Sequence, residues 1–315
     1  MVGSAGAENA AMKERLELHK QKKPYRDASA AAGVSGTETK EKPQPLIPAT
    51  HLNASRRIRG GEPCWTADGQ RLIYSLTGFS ADDSYLESLD LKTGETKILC
   101  RGGTRPVCSP VDGTIAFERK ASLRTAFVST ALVSTAEIWL VDADGRNERK
   151  LSDGHRPHWT LDGNLCYCDQ NSQLVCVSHN KPDEFLWSRK SPVSETFNLA
   201  FSPDGTRVAW SSYGKWNVFN VKSTEELPRG VFNESDSGRS HWSPDGRRIA
   251  FSSTVDSTPG VWLFDLETQE TRLLADISAI PRWSPDGKTL ALGLQSSNEI
   301  LLLEVSSLKH PSGHE

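Results

Sequence analysis

Residues 242–252 read WSPDGRRIAFS, and the same text returns in varied form five more times. It reappears as WSPDGKTLALG from Trp283, FSPDGTRVAW from Phe201, WTLDGNLCYC from Trp159, CSPVDGTIAFE from Cys108 and WTADGQRLIYS from Trp65. The Asp-Gly pairs begin at Asp68, Asp112, Asp162, Asp204, Asp245 and Asp286, spaced 44, 50, 42, 41 and 41 residues apart. A near-constant period of this size is the signature of a repeat architecture. The core of the repeat is turn chemistry. Pro presets the backbone angle, Asp bonds its own backbone, and Gly accepts a positive φ. In the second copy Val111 is inserted between Pro110 and Asp112.

Around each turn the text alternates like strands. A short strand ends at the aromatic position, with Cys108 taking that place in the second copy. A second follows the turn, as in Arg248 to Ser252, then a third at Val261 to Asp265 and a fourth at Thr271 to Leu274. Four strands in each repeat of this length predict a β-propeller blade. The reading is therefore all-β: a six-bladed β-propeller of four-stranded antiparallel blades. The sixth unit runs out of chain after its third strand, Glu299 to Val305. Residues 54–59, just before the first unit, resemble the fourth strand at Thr96 to Arg101. They are expected to complete the last blade as its outer strand and close the ring.

The texts WSPDGRRIAFSS…GVWLFDLETQETRLL and AEIWLVDADGRNERKLS resemble the TolB-type β-propeller, the WD-repeat-like family with a Pro-Asp core. The resemblance covers about residues 54–308. It implies the propeller fold. For function it implies either docking, as in a periplasmic protein of the Tol–Pal envelope system that binds a peptidoglycan-associated lipoprotein, or the propeller half of a prolyl-oligopeptidase-like peptidase. The sequence departs from both. No signal peptide precedes the blades, residues 1–53 are too short and polar for the α/β domain of the envelope protein, and no G-x-S-x-G elbow occurs. The chain reads as the propeller alone, cytoplasmic by default and periplasmic if its N-terminus is incomplete.

Composition bounds the function classes. The 315 residues carry 37 Lys plus Arg against 40 Asp plus Glu, a net charge of −3, which argues against a nucleic-acid partner. No run of apolar residues is long enough to span a membrane. Residues 1–53 are expected to be a disordered or weakly helical polar leader, and residues 309–315 a tail. The six turn aspartates read as structural, spread around a rim, so neither a catalytic residue nor a metal ligand is assigned and no cofactor is implied. Cys64, Cys100, Cys108, Cys166, Cys168 and Cys176 form no C-x-x-C pair. Cys166 faces Cys176 if their hairpin turns near Asn171, and these thiols read as small apolar residues between blades.

Binding residues are sought at the start of each inner strand, where the chain meets the central channel. Three residues before the aromatic position stand Glu62, Arg105, Arg156, Asn198, Arg239 and Ile280, and one residue before it stand Cys64, Val107, His158, Ala200, His241 and Arg282. Arg105, Arg156 and Arg239, with His158, His241 and Arg282, are expected to form a positive channel mouth that takes a carboxylate, a phosphate or an acidic loop. The long excursion from Lys120 to Ala136 is a candidate contact arm through Phe127, Val128, Leu132 and Val133. Together these readings point to a monomeric, non-enzymatic module for a protein or peptide partner. The alternatives are a channel hydrolase or lyase acting on a small acidic or sugar-like substrate, or a propeller separated from a larger envelope or peptidase-type protein.

Overall fold

A computed structural model describes residues 43–47, 56–76, 84–120, 136–171, 173–178, 181–190, 199–212, 215–221, 226–231, 240–255, 258–294 and 296–305. Its first strand, β1 (Arg56–Arg59), belongs to the last blade. Blade 1 is β2 (Gly61–Trp65), β3 (Arg71–Leu76), β4 (Tyr85–Asp90) and β5 (Thr96–Arg101). Blade 2 is β6 (Thr104–Cys108), β7 (Ile115–Lys120), β8 (Ala136–Val141) and β9 (Arg149–Asp153). Blade 3 follows as β10 (His155–Trp159), β11 (Asn164–Cys168), β12 (Gln173–Ser178) and β13 (Lys181–Lys190). Blade 4 is β14 (Leu199–Phe201), β15 (Arg207–Ser212), β16 (Lys215–Asn220) and β17 (Glu226–Val231). Blade 5 is β18 (Ser240–Trp242), β19 (Arg248–Val255), β20 (Thr258–Asp265) and β21 (Thr271–Ala275). Blade 6 holds β22 (Ala279–Trp283), β23 (Thr289–Leu294) and β24 (Glu299–Glu304), with β1 as its fourth strand. Every pairing is antiparallel, so the molecule is a six-bladed β-propeller.

The turns behave as their text requires. Gly69, Gly113, Gly163, Gly205, Gly246 and Gly287 all take positive φ, between 66° and 80°. In blade 5 the Ser243 hydroxyl donates to Asp245 Oδ1 at 2.5 Å, Arg247 N donates to the same oxygen at 3.0 Å, and Arg248 N donates to Ser243 Oγ at 2.9 Å. The inserted Val111 changes this in blade 2, where Ser109 Oγ instead accepts from Val111 N at 3.3 Å.

The core lies between blades rather than within them. Six apolar clusters each join two neighbouring blades, as where Trp242, Ile249 and Phe264 of blade 5 meet Ala209 and Val218 of blade 4. The first strands touch in a ring, β2 to β6 and onward to β22, which returns to β2. Closure follows the expected clasp. Arg57 pairs with Leu301 and Ile58 with Ile300 across β1 and β24.

Within the segment expected to be a polar leader, one short piece docks. Leu46 N and Ile47 N donate to the carbonyls of Leu273 and Leu274 on β21, at 2.8 and 2.9 Å. Ile47 is buried in the cluster between blades 5 and 6. Two adjacent apolar residues in a polar stretch are enough to extend an open outer edge.

Candidate functional site

One position per blade links each inner strand to the next. In three blades the aromatic Trp donates its indole N–H to the carbonyl just before the aromatic position of the preceding blade. Trp65 reaches Arg282 O at 3.2 Å, Trp159 reaches Val107 O at 3.1 Å and Trp242 reaches Ala200 O at 3.0 Å. The other three junctions use side chains. Phe201 stacks on His158 with centroids 5.8 Å apart. Trp283 N donates to His241 Nδ1 at 3.2 Å. Between blades 1 and 2, Cys64 Sγ meets Cys108 Sγ at 2.6 Å.

Inside this ring the expected residues converge. Arg105, Arg156, His158, His241 and Arg282 line one cavity of about 70 Å³, together with Glu118 and Ser240. Arg239 lies outside the described residues, as do Phe127, Val128, Leu132 and Val133 of the candidate arm.

The backbone at three of these positions is unusual. Glu62, Arg105 and Arg156 have φ of 50°, 51° and 59°, each immediately before a proline and each at a bulge between the first and second strands. Left-handed backbone in a non-glycine residue costs roughly 1–3 kcal/mol and persists where its surroundings hold it. At Arg105 and Arg156 acidic side chains do the holding. Glu62 Oε2 accepts from Arg105 N at 3.0 Å, and Glu118 Oε1 accepts from Arg156 N at 2.8 Å. Each carboxylate therefore catches the bulged N–H of the following blade.

The Arg105 guanidinium completes this relay. Its Nη1 donates to Glu118 Oε2 at 2.6 Å, and its Nε lies 3.4 Å from Glu62 Oε1. Burial opposes its charge, but Glu118 and then Glu62 outweigh that and hold its pKa above the usual arginine value. Arg105 is thus balanced by two carboxylates. Beside the three guanidiniums expected at the channel mouth, the lining holds Glu118, with Glu62 behind Arg105. Sequence reasoning passed over Glu118. Its signal was a charged residue in the run Ile115-Ala116-Phe117-Glu118, buried throughout, where burial demands a charged partner.

The two imidazoles are neutral at pH 7. Burial pushes His158 down to about 4, with Arg282 adding to the effect. His241 is held well below the usual range by burial, then by Arg282 and His158. Since His241 Nδ1 accepts from Trp283 N, its Nε2 carries the proton. His158 Nε2 and Ser240 Oγ are buried without a hydrogen-bond partner among the described residues. The lining therefore combines fixed cations and the Glu118 carboxylate with neutral donors and acceptors, an arrangement that can hold an acidic or polar group. No group of three or more metal-ligating side chains occurs among the described residues.

Comparison with known proteins supports the fold. No family model matches the chain. Over 230 residues it is 26% identical to a Bacillus subtilis (strain 168) protein named as an uncharacterized peptidase, YuxL, covering 68% of this chain and 32% of that one. A stretch of 57 residues is 47% identical to the Tol-Pal system protein TolB of Alcanivorax borkumensis, covering 17% of this chain and 13% of that one. The chain spans about a third of the first of these relatives and about an eighth of the second. A chain in the crystal structure of the mitotic checkpoint complex matches with a TM-score of 0.55 at 9% identity, covering 90% of this chain and 99% of that one. At that identity the likeness concerns the fold. The TolB-type resemblance read from the repeats stands on the 57-residue match and on six four-stranded blades.

Proposed function

We propose that this propeller is a protein-interaction module, and that its partner places an acidic or polar group at the channel lining formed by Arg156, His158, His241 and Arg282. The observation that supports this reading is the convergence of those side chains, contributed by blades 3, 5 and 6, on one cavity. A rim built on paired strands is preorganised, so little ordering opposes binding. Propellers that serve as docking surfaces, as the TolB resemblance implies, fit the same reading. A channel enzyme is less well supported. The match to YuxL covers a third of that protein, so its named peptidase activity does not carry over.

The test uses the full chain as bait in a lysate of its own organism, beside an Arg156→Ala/Arg282→Ala variant. Arg105 is kept, because removing it strands the buried Glu118 charge at a cost of about 3–5 kcal/mol. The expected result is one dominant protein whose capture falls at least about tenfold in a variant of matched melting temperature, the loss of roughly 1.4 kcal/mol of binding. Equal capture by both baits would remove the channel lining from the binding face.

A further inference from the structure

We propose that Cys64 and Cys108 are a modification site: an oxidisable dithiol that a small-molecule disulfide converts into a covalent link between blades 1 and 2. The inference starts from the ring of junctions. Five blades place Trp or Phe at the aromatic position, and each of these residues touches the residue one before that position in the preceding blade. Blade 2 places Cys108 there, and its counterpart in blade 1 is Cys64, so thiol meets thiol at 2.6 Å. Both are held by paired strands, Cys64 opposite Ile73 and Cys108 opposite Ile115. The two first strands touch directly, and the sulfurs stand about half an ångström beyond the ~2.05 Å of a disulfide bond.

The surroundings also distinguish this pair. Cys108 is partly exposed as a residue while the other five cysteines are buried, but its thiol is itself enclosed, so exchange with the reagent is slow. Cys166 and Cys176 also face each other, at 2.9 Å, but both are buried and both lie in one hairpin, ten residues apart. A link there would close a loop that β11 and β12 already close. The Cys64–Cys108 link spans 44 residues and ties one blade to the next, where a cross-link restricts the unfolded chain more.

The chemistry is thiol–disulfide exchange. The Cys108 thiolate attacks one sulfur of the reagent RSSR and expels RS⁻, leaving a mixed disulfide. Cys64, deprotonated, attacks the Cys108 sulfur, forms the Cys64–Cys108 bond and expels the second RS⁻. RSSR gains two electrons, and the two thiol protons end on two RSH. Burial and the neighbouring Cys64 thiol hold Cys108 well above the usual thiol range, so the reaction accelerates as pH rises above 7.

The experiment incubates the full chain with oxidised and reduced glutathione in graded ratios. Acid quench, alkylation, digestion and mass spectrometry then identify linked peptides. The expected product is a Cys64–Cys108 peptide lighter by two hydrogens, in a protein whose melting temperature rises by about 5 °C or more. Cys64→Ala loses both effects, and Cys166→Ala keeps both. A glutathione adduct that stays on Cys108 would overturn the proposal, as would Cys166–Cys176 as the sole intramolecular link. A Cys64–Cys108 link that leaves the melting temperature unchanged would overturn its role as a tie between blades. Because the peptide map is read on the unsubstituted chain, the result stands even if Cys64→Ala folds poorly.

Discussion

Two histidines show how a single residue's surroundings set its chemistry. His158 and His241 stand at equivalent places in blades 3 and 5, and burial lowers both. An imidazole whose folded pKa is depressed binds fewer protons when folded than when unfolded, so stability rises with pH across the interval between the two values. For His158 the interval runs from its ordinary 6.5 down to about 4. Its contribution is fully present above pH 6.5, and acid removes it progressively toward pH 4. The integrated loss is of the order of 3 kcal/mol. Thermal melts between pH 7 and pH 4.5 should show a falling melting temperature, and His158→Gln should flatten that slope. A slope unchanged by His158→Gln would mean that this histidine is not buried neutral. The turn aspartates do not confuse the reading. Asp204 and Asp245 have pKa values below 3.8, because hydrogen bonds to their carboxylates outweigh burial, and they lose their contribution only in stronger acid.

At the scale of the element, the informative unit is the inner strand with its aromatic residue. Trp242 is almost fully buried, its indole N–H donates to Ala200 O, and the Arg207 guanidinium lies 4.7 Å above its ring. Packing and hydrogen bonding can be separated here by two substitutions. Trp242→Ala empties the site and should cost roughly 3–5 kcal/mol. Trp242→Phe keeps most of the ring and removes only the indole hydrogen bond to Ala200 O, at roughly 0.5–1.5 kcal/mol. Urea unfolding checks both, and a loss below about 1 kcal/mol for the alanine variant would mean that the ring is not packed between blades. The repeat was legible at this scale because turn chemistry is local: Ser, Pro, Asp and Gly act on their own backbone within a few residues. The junctions were not. Glu62 meets Arg105 N across 43 residues and Glu118 meets Arg156 N across 38, and neither partner recurs in every blade. A periodic text announces the strands, whereas contacts between copies depend on where the copies differ. Arg105, Arg156, His158, His241 and Arg282 could be grouped from the text because they stand at repeat-equivalent positions, and they line one cavity. Glu118 was missed because it stands on a second strand, away from those positions.

The whole molecule depends on how its ends meet. Each blade covers two faces by touching two neighbours, so a ring with an open blade 6 would expose the edge of β24 and the apolar cluster it shares with blade 1. The strand β1 closes both. Ile58 is buried with Ile300, Leu72 and Tyr74, while Arg57 pairs with Glu299 at 3.0 Å and Arg56 Nη1 donates to Leu91 O at 2.8 Å. Gly60 then carries the chain from blade 6 into blade 1. Its φ is 146°, and a Cβ there would stand 2.4 Å from the Tyr74 ring, so the passage requires glycine. The exposed Arg57–Glu299 pair adds little on its own. The clasp draws its strength from burying Ile58, about 1.5–3 kcal/mol, and from ladder hydrogen bonds at about 0.5–1.5 kcal/mol each. Deleting residues 54–60 should therefore cost about 3–6 kcal/mol and lower the melting temperature by about 5–12 °C. Ile58→Pro offers a milder cut, removing one ladder N–H and the buried side chain while leaving the chain its full length. It should move the melting temperature the same way by a smaller amount. A deleted chain that melts with the intact one would show that blade 6 holds its place through its inner three strands, and the clasp would then have no part in closing the ring.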